Sequence, residues 1–283
     1  MKESSCFGGS DGVCKPKDAR IVIVPVPYDA TSTWIKGADK GPDAILEASA
    51  NMELYDIETD SQVYLKGIFT DRPVICKGSP ERMSKLVEQK VTSHIENGKF
   101  TVVIGGEHSV SIGAIAAHHK KYKNMSVLQL DAHSDLRDEY YNSEFNHACV
   151  MARARELCPI VQVGIRSMDI SEKKNMDRRN VFFAEDIYDE TKWFDKAIAK
   201  LTERVYVTID LDVFDPSIMP STGTPEPGGL GWYSVIGFLK KVCKKREVVG
   251  FDVVEMCPNP ANKGPDFAAA KLIYKLLTYK FID

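Results

Sequence analysis

Residues 126–135 read SVLQLDAHSD. A short apolar run leads without a break into an acid, a histidine and a second acid at alternate positions. The same arrangement occurs twice more. Phe100–Ile104 runs into Gly105-Gly106-Glu107-His108-Ser109, and Val205–Ile209 runs into Asp210-Leu211-Asp212, followed by Asp215-Pro216. Runs that are apolar on consecutive positions belong to strands covered on both faces, as in a parallel sheet.

Working outward, Arg20–Val26, Ile160–Gly164, Val181–Ala184 and Val248–Val254 read as further strands. Between them lie stretches of helical period. Ser79-Pro80 opens one, with Met83, Leu86, Val87 and Val91 on one face and Gly98 past its end; Ser suits the N-cap and Pro the first turn. The other predicted helices are Pro42–Ala50, Val110–His119, Ala148–Leu157, Thr191–Thr202, Tyr233–Lys244 and Pro265–Leu277. Alternating strands and helices predict an α/β fold, a three-layer α-β-α sandwich on a mostly parallel central sheet. With no repeat or composition break, residues 20–283 read as one catalytic domain, and the Gly/Ser-rich residues 1–19 as a flexible lead-in.

Composition narrows the function. The 37 Lys+Arg and 40 Asp+Glu give a formal charge of −3, which argues against a nucleic-acid partner. Apolar runs are far shorter than the ~20 residues that span a bilayer, and the N-terminus lacks the apolar core of a secretory signal. The seven cysteines, Cys6, Cys14, Cys76, Cys149, Cys158, Cys243 and Cys257, are odd in number, widely spaced and without a CxxC pair. They predict reduced thiols, mostly buried, in a cytoplasmic protein. Two basic runs, Lys120, Lys121 and Lys123, then Lys240, Lys241, Lys244, Lys245 and Arg246, fall at helix ends, where cations complement the dipole.

In open α/β sheets ligands sit beyond the carboxyl ends of the strands. Three strands here end in metal-type side chains. If the chain stays extended, Asp131, His133 and Asp135 point to one side, and Asp210 with Asp212 converge from a neighbouring strand; His108 makes a third approach. Four crowded aspartates would raise one another's pKa values, whereas two divalent cations bring +4 against −4. Six side chains suffice for two ions, since carboxylates can bridge. The set predicts a dinuclear metal site.

GGEHS, DAHSD and TIDLDVFDP, in that order, closely resemble the signature segments of the ureohydrolases, the arginase and agmatinase family. PYDATSTWIKGADKGPDAI resembles that family's entry loop and first helix, and STGTPEPGGL and DVVEMCP its two late active-site segments. The resemblance runs from about Arg20 to the C-terminus. Glu107 stands where many members have Asp. The resemblance implies two Mn²⁺ ions, one held by His108, Asp131, Asp135 and Asp210, the other by Asp131, His133, Asp210 and Asp212. Mixed oxygen and imidazole ligation also suits Zn²⁺, Co²⁺ or Fe²⁺.

It also implies a guanidino substrate cleaved to urea and an amine by a metal-activated water. Bulk water has a pKa of ~16, which a metal can lower to ~7. Asp135 is the expected first proton acceptor, Glu255 the carboxylate that pairs with the guanidinium, Thr224 a contact to its nitrogens, and His147 a proton shuttle. Arg137 breaks the arginase pattern two positions after Asp135. Asp138, Glu139 and Glu144 outnumber it before His147, and an acidic rim favours an ammonium-ended substrate. Agmatine is the first expectation; arginine, guanidinobutyrate and aminopropylagmatine are the alternatives. A one-zinc amide hydrolase would not need His108 and Asp212, and a non-catalytic metal-binding relative would be expected to have lost a ligand or Glu255. The family commonly forms homo-oligomers, trimers or their multiples.

Overall fold

The computed structural model describes residues 6–11, 15–188 and 190–282. Its strands are β1 (Ile21–Val26), β2 (Ile68–Thr70), β3 (Phe100–Gly105), β4 (Met125–Leu130), β5 (Ile160–Ile165), β6 (Val181–Phe183), β7 (Arg204–Asp210) and β8 (Glu247–Val254). They form one sheet in the order β2-β1-β3-β8-β7-β4-β5-β6, with every pairing parallel. The helices are α1 (Gly41–Ser49), α2 (Pro80–Glu96), α3 (Val110–Lys121), α4 (Val150–Leu157), α5 (Ala184–Ile187), α6 (Trp193–Ile198), α7 (Trp232–Lys245) and α8 (Gly264–Phe281). One face of the sheet packs on α1, α6, α7 and α8 and the other on α2, α3 and α4. This is the three-layer sandwich that the alternation predicts, with a sheet that is wholly parallel among the described residues.

The consecutive apolar positions of the strands are explained by this double coverage. In β1 and β4 every residue is buried. α2 begins as its sequence predicts: Ser79 Oγ accepts from Arg82 N, and Pro80 stands in the first turn, where its missing N–H costs nothing. Three elements differ. β2 is a three-residue edge strand too short to show a pattern. Ala184, read as strand, opens the one-turn α5. The helix read from Ala148 starts with a 3-10 turn, His147–Cys149, capped by Asn146.

The N-terminal stretch is not a free lead-in throughout. Phe7 is 1% exposed, its N–H donates to Thr70 Oγ1, and Gly8 N donates to Ser49 Oγ. An aromatic side chain anchors what Gly and Ser alone would leave loose. Residues 1–5 of that stretch, and Cys14, lie outside the described residues. The six described cysteines are free thiols, but only Cys149 and Cys158 are buried; the others are half-exposed, against the expectation of burial. Lys120 pairs with Glu88, and Lys241 and Lys245 with Asp195, as solvated helix ends should. Among the described residues no helix is long and apolar enough to cross a membrane.

Candidate metal centre and substrate pocket

The sheet order brings distant segments together. β3, β8, β7 and β4 are adjacent at its centre, and each delivers chemistry at its carboxyl end: His108, Glu255, Asp210 with Asp212, and Asp131 with His133 and Asp135. Gly105 and Gly106 carry the chain from β3 to His108. A Cβ on Gly106 would lie 2.0 Å from Tyr28 O, so only glycine lets the two backbones approach this closely.

The groups converge, though not by the extended chain that alternate spacing suggests. Asp135 has a left-handed backbone (φ 51°), and its carbonyl accepts from Met151 N and Ala152 N of α4. Asp210 caps a 3-10 turn, Leu211–Val213, and accepts from Asp212 N at 2.9 Å. Turns curl these acids inward where strand geometry alone would not. His108, Asp131 and Asp135 then offer ligand atoms within 4.8 Å of one another, as do Asp131, His133 and Asp212. Asp131 belongs to both groups. Asp210 joins from the side, its Oδ2 3.6 Å from His108 Nδ1.

Hydrogen bonds fix which nitrogen of His108 is available. Thr208 donates to Asp252 Oδ1 at 2.6 Å and therefore accepts from His108 Nε2, 2.9 Å away. Nδ1 is left with its lone pair. It is buried with no hydrogen-bond partner, yet stands 2.9 Å from Asp135 Oδ2 and 3.2 Å from Asp131 Oδ2. A lone pair facing carboxylate oxygens is repulsive unless a cation lies among them. A single proton would still leave three of the four aspartate charges uncompensated. Oxygen and imidazole donors of this kind suit a divalent first-row metal, so the residues fit such ions.

The electrostatics agree. Burial and the repulsion of Asp212 and Asp135 push Asp131 up to about 7. Burial, Asp212 and Asp131 push Asp210 well above the usual carboxylate range. Burial works against a charged His133, but Asp212, 2.8 Å from its Nδ1, and Asp131 lift it to about 10. Such conflicts mark sites built for charge.

Beside this cluster a cavity of about 300 Å³ is lined by His133, Asp135, His147, Thr224 and Glu255. Glu255 also has a left-handed backbone (φ 65°). Its N–H donates to Gly106 O at 2.7 Å, and its Oε1 accepts from His108 N at 2.7 Å. Burial and nearby Glu107 push its carboxyl up to about 8; a bound cation would restore its charge. Burial lowers His147 to about 4. Ala148, where a Gly often stands in the family, has no positive φ and sits within the turn.

The outer wall corrects the sequence reading. Asp138 pairs with Lys174 and Glu144 with Arg153, and neither lines the cavity; nor does Glu139. The acids that do are Asp169 and Glu172, contributed by the loop after β5. They hold Arg137 at 3.6 and 3.8 Å, with its guanidinium 4.3 Å from the Tyr140 ring centroid. Trp34, 69% exposed, and Ile35 complete the mouth.

Two supports also escape a motif reading. Arg166 donates to the backbone carbonyls of Gly164, Asp212, Glu226 and Pro227 and so ties the Asp212 turn to the loop just after Thr224. Glu107, in neither acid–histidine group, is buried and accepts from Thr31 N, Thr31 Oγ1, Ser32 N and Ser109 Oγ, pinning the entry loop to the floor. The signal for Glu107 is its place beside His108; for Arg166 there is none.

A parallel α/β/α sandwich with acids and histidines at its central strand ends defines an arginase-type hydrolase. The arginase family's sequence profile matches residues 19–278, and the chain belongs to this family, as a ureohydrolase of the agmatinase-like kind. It is 39% identical to the N(1)-aminopropylagmatine ureohydrolase of Synechocystis sp., over 96% of this chain and 93% of the relative. It is 34% identical to the agmatinase of Pyrococcus horikoshii, over 92% of each. The solved structure of the agmatine ureohydrolase of Thermoplasma volcanium is similar with a TM-score of 0.88, at 32% identity, covering 99% of this chain and 94% of that one.

Proposed function

We propose that the chain hydrolyses a guanidine carrying a cationic tail, with agmatine giving urea and putrescine as the first reading. The observation that carries the choice of tail is Arg137. Its guanidinium is paired with Asp169 and Glu172 and stacked on the Tyr140 ring, so a substrate carboxylate would have to compete with two resident ones. Two carboxylates against one guanidinium leave this wall at −1, which attracts an ammonium. Agmatine and N(1)-aminopropylagmatine share the guanidinobutyl end. The longer compound is the second reading, favoured by the 38–39% identity to three relatives bearing that name.

His108, Asp131, Asp135 and Asp210 would hold one ion, and Asp131, His133, Asp210 and Asp212 the other, with Mn²⁺ the expected metal. Bound there, the ions supply a water of lowered pKa and Lewis acidity at the guanidinium carbon. Glu255 pairs with the guanidinium in a bidentate, charge-assisted bond and sets its orientation. Thr224 stands on the same wall and contacts its nitrogens. Asp135 accepts the proton released as water oxygen bonds to carbon. As the carbon–nitrogen bond to the tail breaks, the departing amine takes that proton from Asp135, and His147 exchanges protons between the pocket and solvent.

The test is urea release by manganese-loaded protein from agmatine, N(1)-aminopropylagmatine, arginine and guanidinobutyrate. The two cationic-tailed compounds should dominate. Equal or better turnover of arginine would refute the reading of the wall. Tight metal binding without urea from any guanidine would favour a non-catalytic relative.

A further inference from the structure

The hydroxyl of Thr31 sits between a buried carboxylate and the histidine of the pocket. It lies 2.7 Å from Glu107 Oε1 and 3.1 Å from His147 Nδ1, and it accepts the His147 backbone N–H at 3.1 Å. We propose that Thr31 is a positioning residue that holds His147 by its backbone and by Nδ1, and so fixes the imidazole tautomer.

The available protons decide the tautomer. A threonine hydroxyl has one proton to give. Glu107 Oε2 is already committed to two backbone donors, Thr31 N and Ser32 N, and its Oε1 faces two hydroxyls, of Thr31 and Ser109. The Thr31 proton goes to Oε1 at 2.7 Å, the shorter of its two side-chain contacts. Thr31 Oγ1 must then accept from His147 Nδ1–H. That leaves Nε2 of the neutral imidazole as the unprotonated nitrogen, on a side chain that lines the cavity.

The loop that carries Thr31 is braced at both ends. Glu107 binds its start, and Asp29 Oδ2 accepts from Gly37 N at 2.6 Å and Ala38 N at 3.1 Å at its end. A threonine on a fixed loop therefore dictates which nitrogen of His147 can take up a proton. The inference rests on His147 as the proton-moving group, but the tautomer can be read without turnover.

The experiment uses ¹⁵N-histidine-labelled protein loaded with Zn²⁺, which is diamagnetic, and reads the imidazole ¹⁵N shifts. The His147 signal is assigned by its loss in His147→Asn. Wild type and Thr31→Ser should show protonated Nδ1 and bare Nε2. Thr31→Val, nearly isosteric, should lose that preference. With manganese, Thr31→Val should lower kcat by about 100-fold at unchanged metal content, and Thr31→Ser should restore most of it. A wild-type His147 with its proton on Nε2 overturns the proposal, even if Thr31→Val fails to fold. So does a Thr31→Val protein that keeps both tautomer and kcat. If the tautomer shifts as stated but no guanidine is cleaved, the functional reading fails and the positioning role stands.

Discussion

Asp131 is the side chain common to both acid–histidine groups, and replacing it separates metal binding from folding. In Asp131→Asn, one of four aspartate charges disappears. One former oxygen becomes an NH₂ that must face either Gln129 Nε2, now 2.7 Å from Oδ2, or His133 N, now 2.5 Å from Oδ1. A donor facing a donor costs roughly 1–3 kcal/mol, while relief of the repulsion with Asp212 and Asp135 acts the other way. The informative quantity is therefore the increment that metal adds to stability. An ion at 100 times its Kd stabilises by about 2.7 kcal/mol. For a chain this long that amounts to a Tm rise of roughly 4–5 °C per site. Wild type should show about twice that when both sites fill. Asp135→Asn, which belongs to one group only, should keep about half of the rise, and Asp131→Asn almost none. Thermal unfolding across a manganese titration, with bound metal quantified, reads all three. A wild-type increment in Asp131→Asn would refute the shared-ligand geometry.

Glu255→Gln keeps the acceptor for His108 N but removes the charge proposed to face the guanidinium, so kcat/KM should fall by at least about 30-fold, the lower end of the cost of breaking a buried charge pair; steady-state urea assays on metal-loaded protein check this. His118 is fully buried and held neutral, its pKa lowered by burial to about 4 from 6.5. The unfolded chain takes up a proton below 6.5 that the folded one refuses, so stability falls as pH drops from 6.5 to 4. The loss is roughly 3 kcal/mol, and urea unfolding should show a slope there that is flatter by that amount in His118→Gln. Equal slopes would place His118 in contact with solvent. Gly106→Ala forces a methyl into the Tyr28 backbone, so we expect a loss of roughly 3 kcal/mol or more together with lowered metal content, measured by denaturation and metal analysis on the same sample.

Much of this was legible because the physics is local. Strands buried on both faces read as unbroken apolar runs, and the residues that end β3, β4 and β7 announce themselves by type. The convergence of Asp135 and Asp210 was expected for the wrong geometric reason. Left-handed residues and 3-10 turns leave no periodic trace, and alternate spacing happened to point to the same residues. The acidic wall was misplaced because sequence proximity to Asp135 stood in for proximity in space: Asp138 and Glu144 find basic partners outside the pocket, whereas Asp169 and Glu172 arrive from the loop after β5. Phe7 was hidden by its Gly/Ser surroundings. Thr31 was hidden because a hydroxyl acquires its role only from contacts across 76 and 116 positions.

The place of β8 in the sheet sets when the catalytic centre can exist during synthesis. Until residues 247–254 are made, β2-β1-β3 and β7-β4-β5-β6 are two separate ribbons, each with an unpaired edge. His108 stands on one ribbon and the five aspartate and histidine partners on the other. The last strand closes the seam and brings Glu255 with it. A chain that stops short of β8 therefore carries two exposed sheet edges with His108 parted from the other five candidate ligands, and the full set of six, with Glu255 beside it, assembles only once β8 is in place.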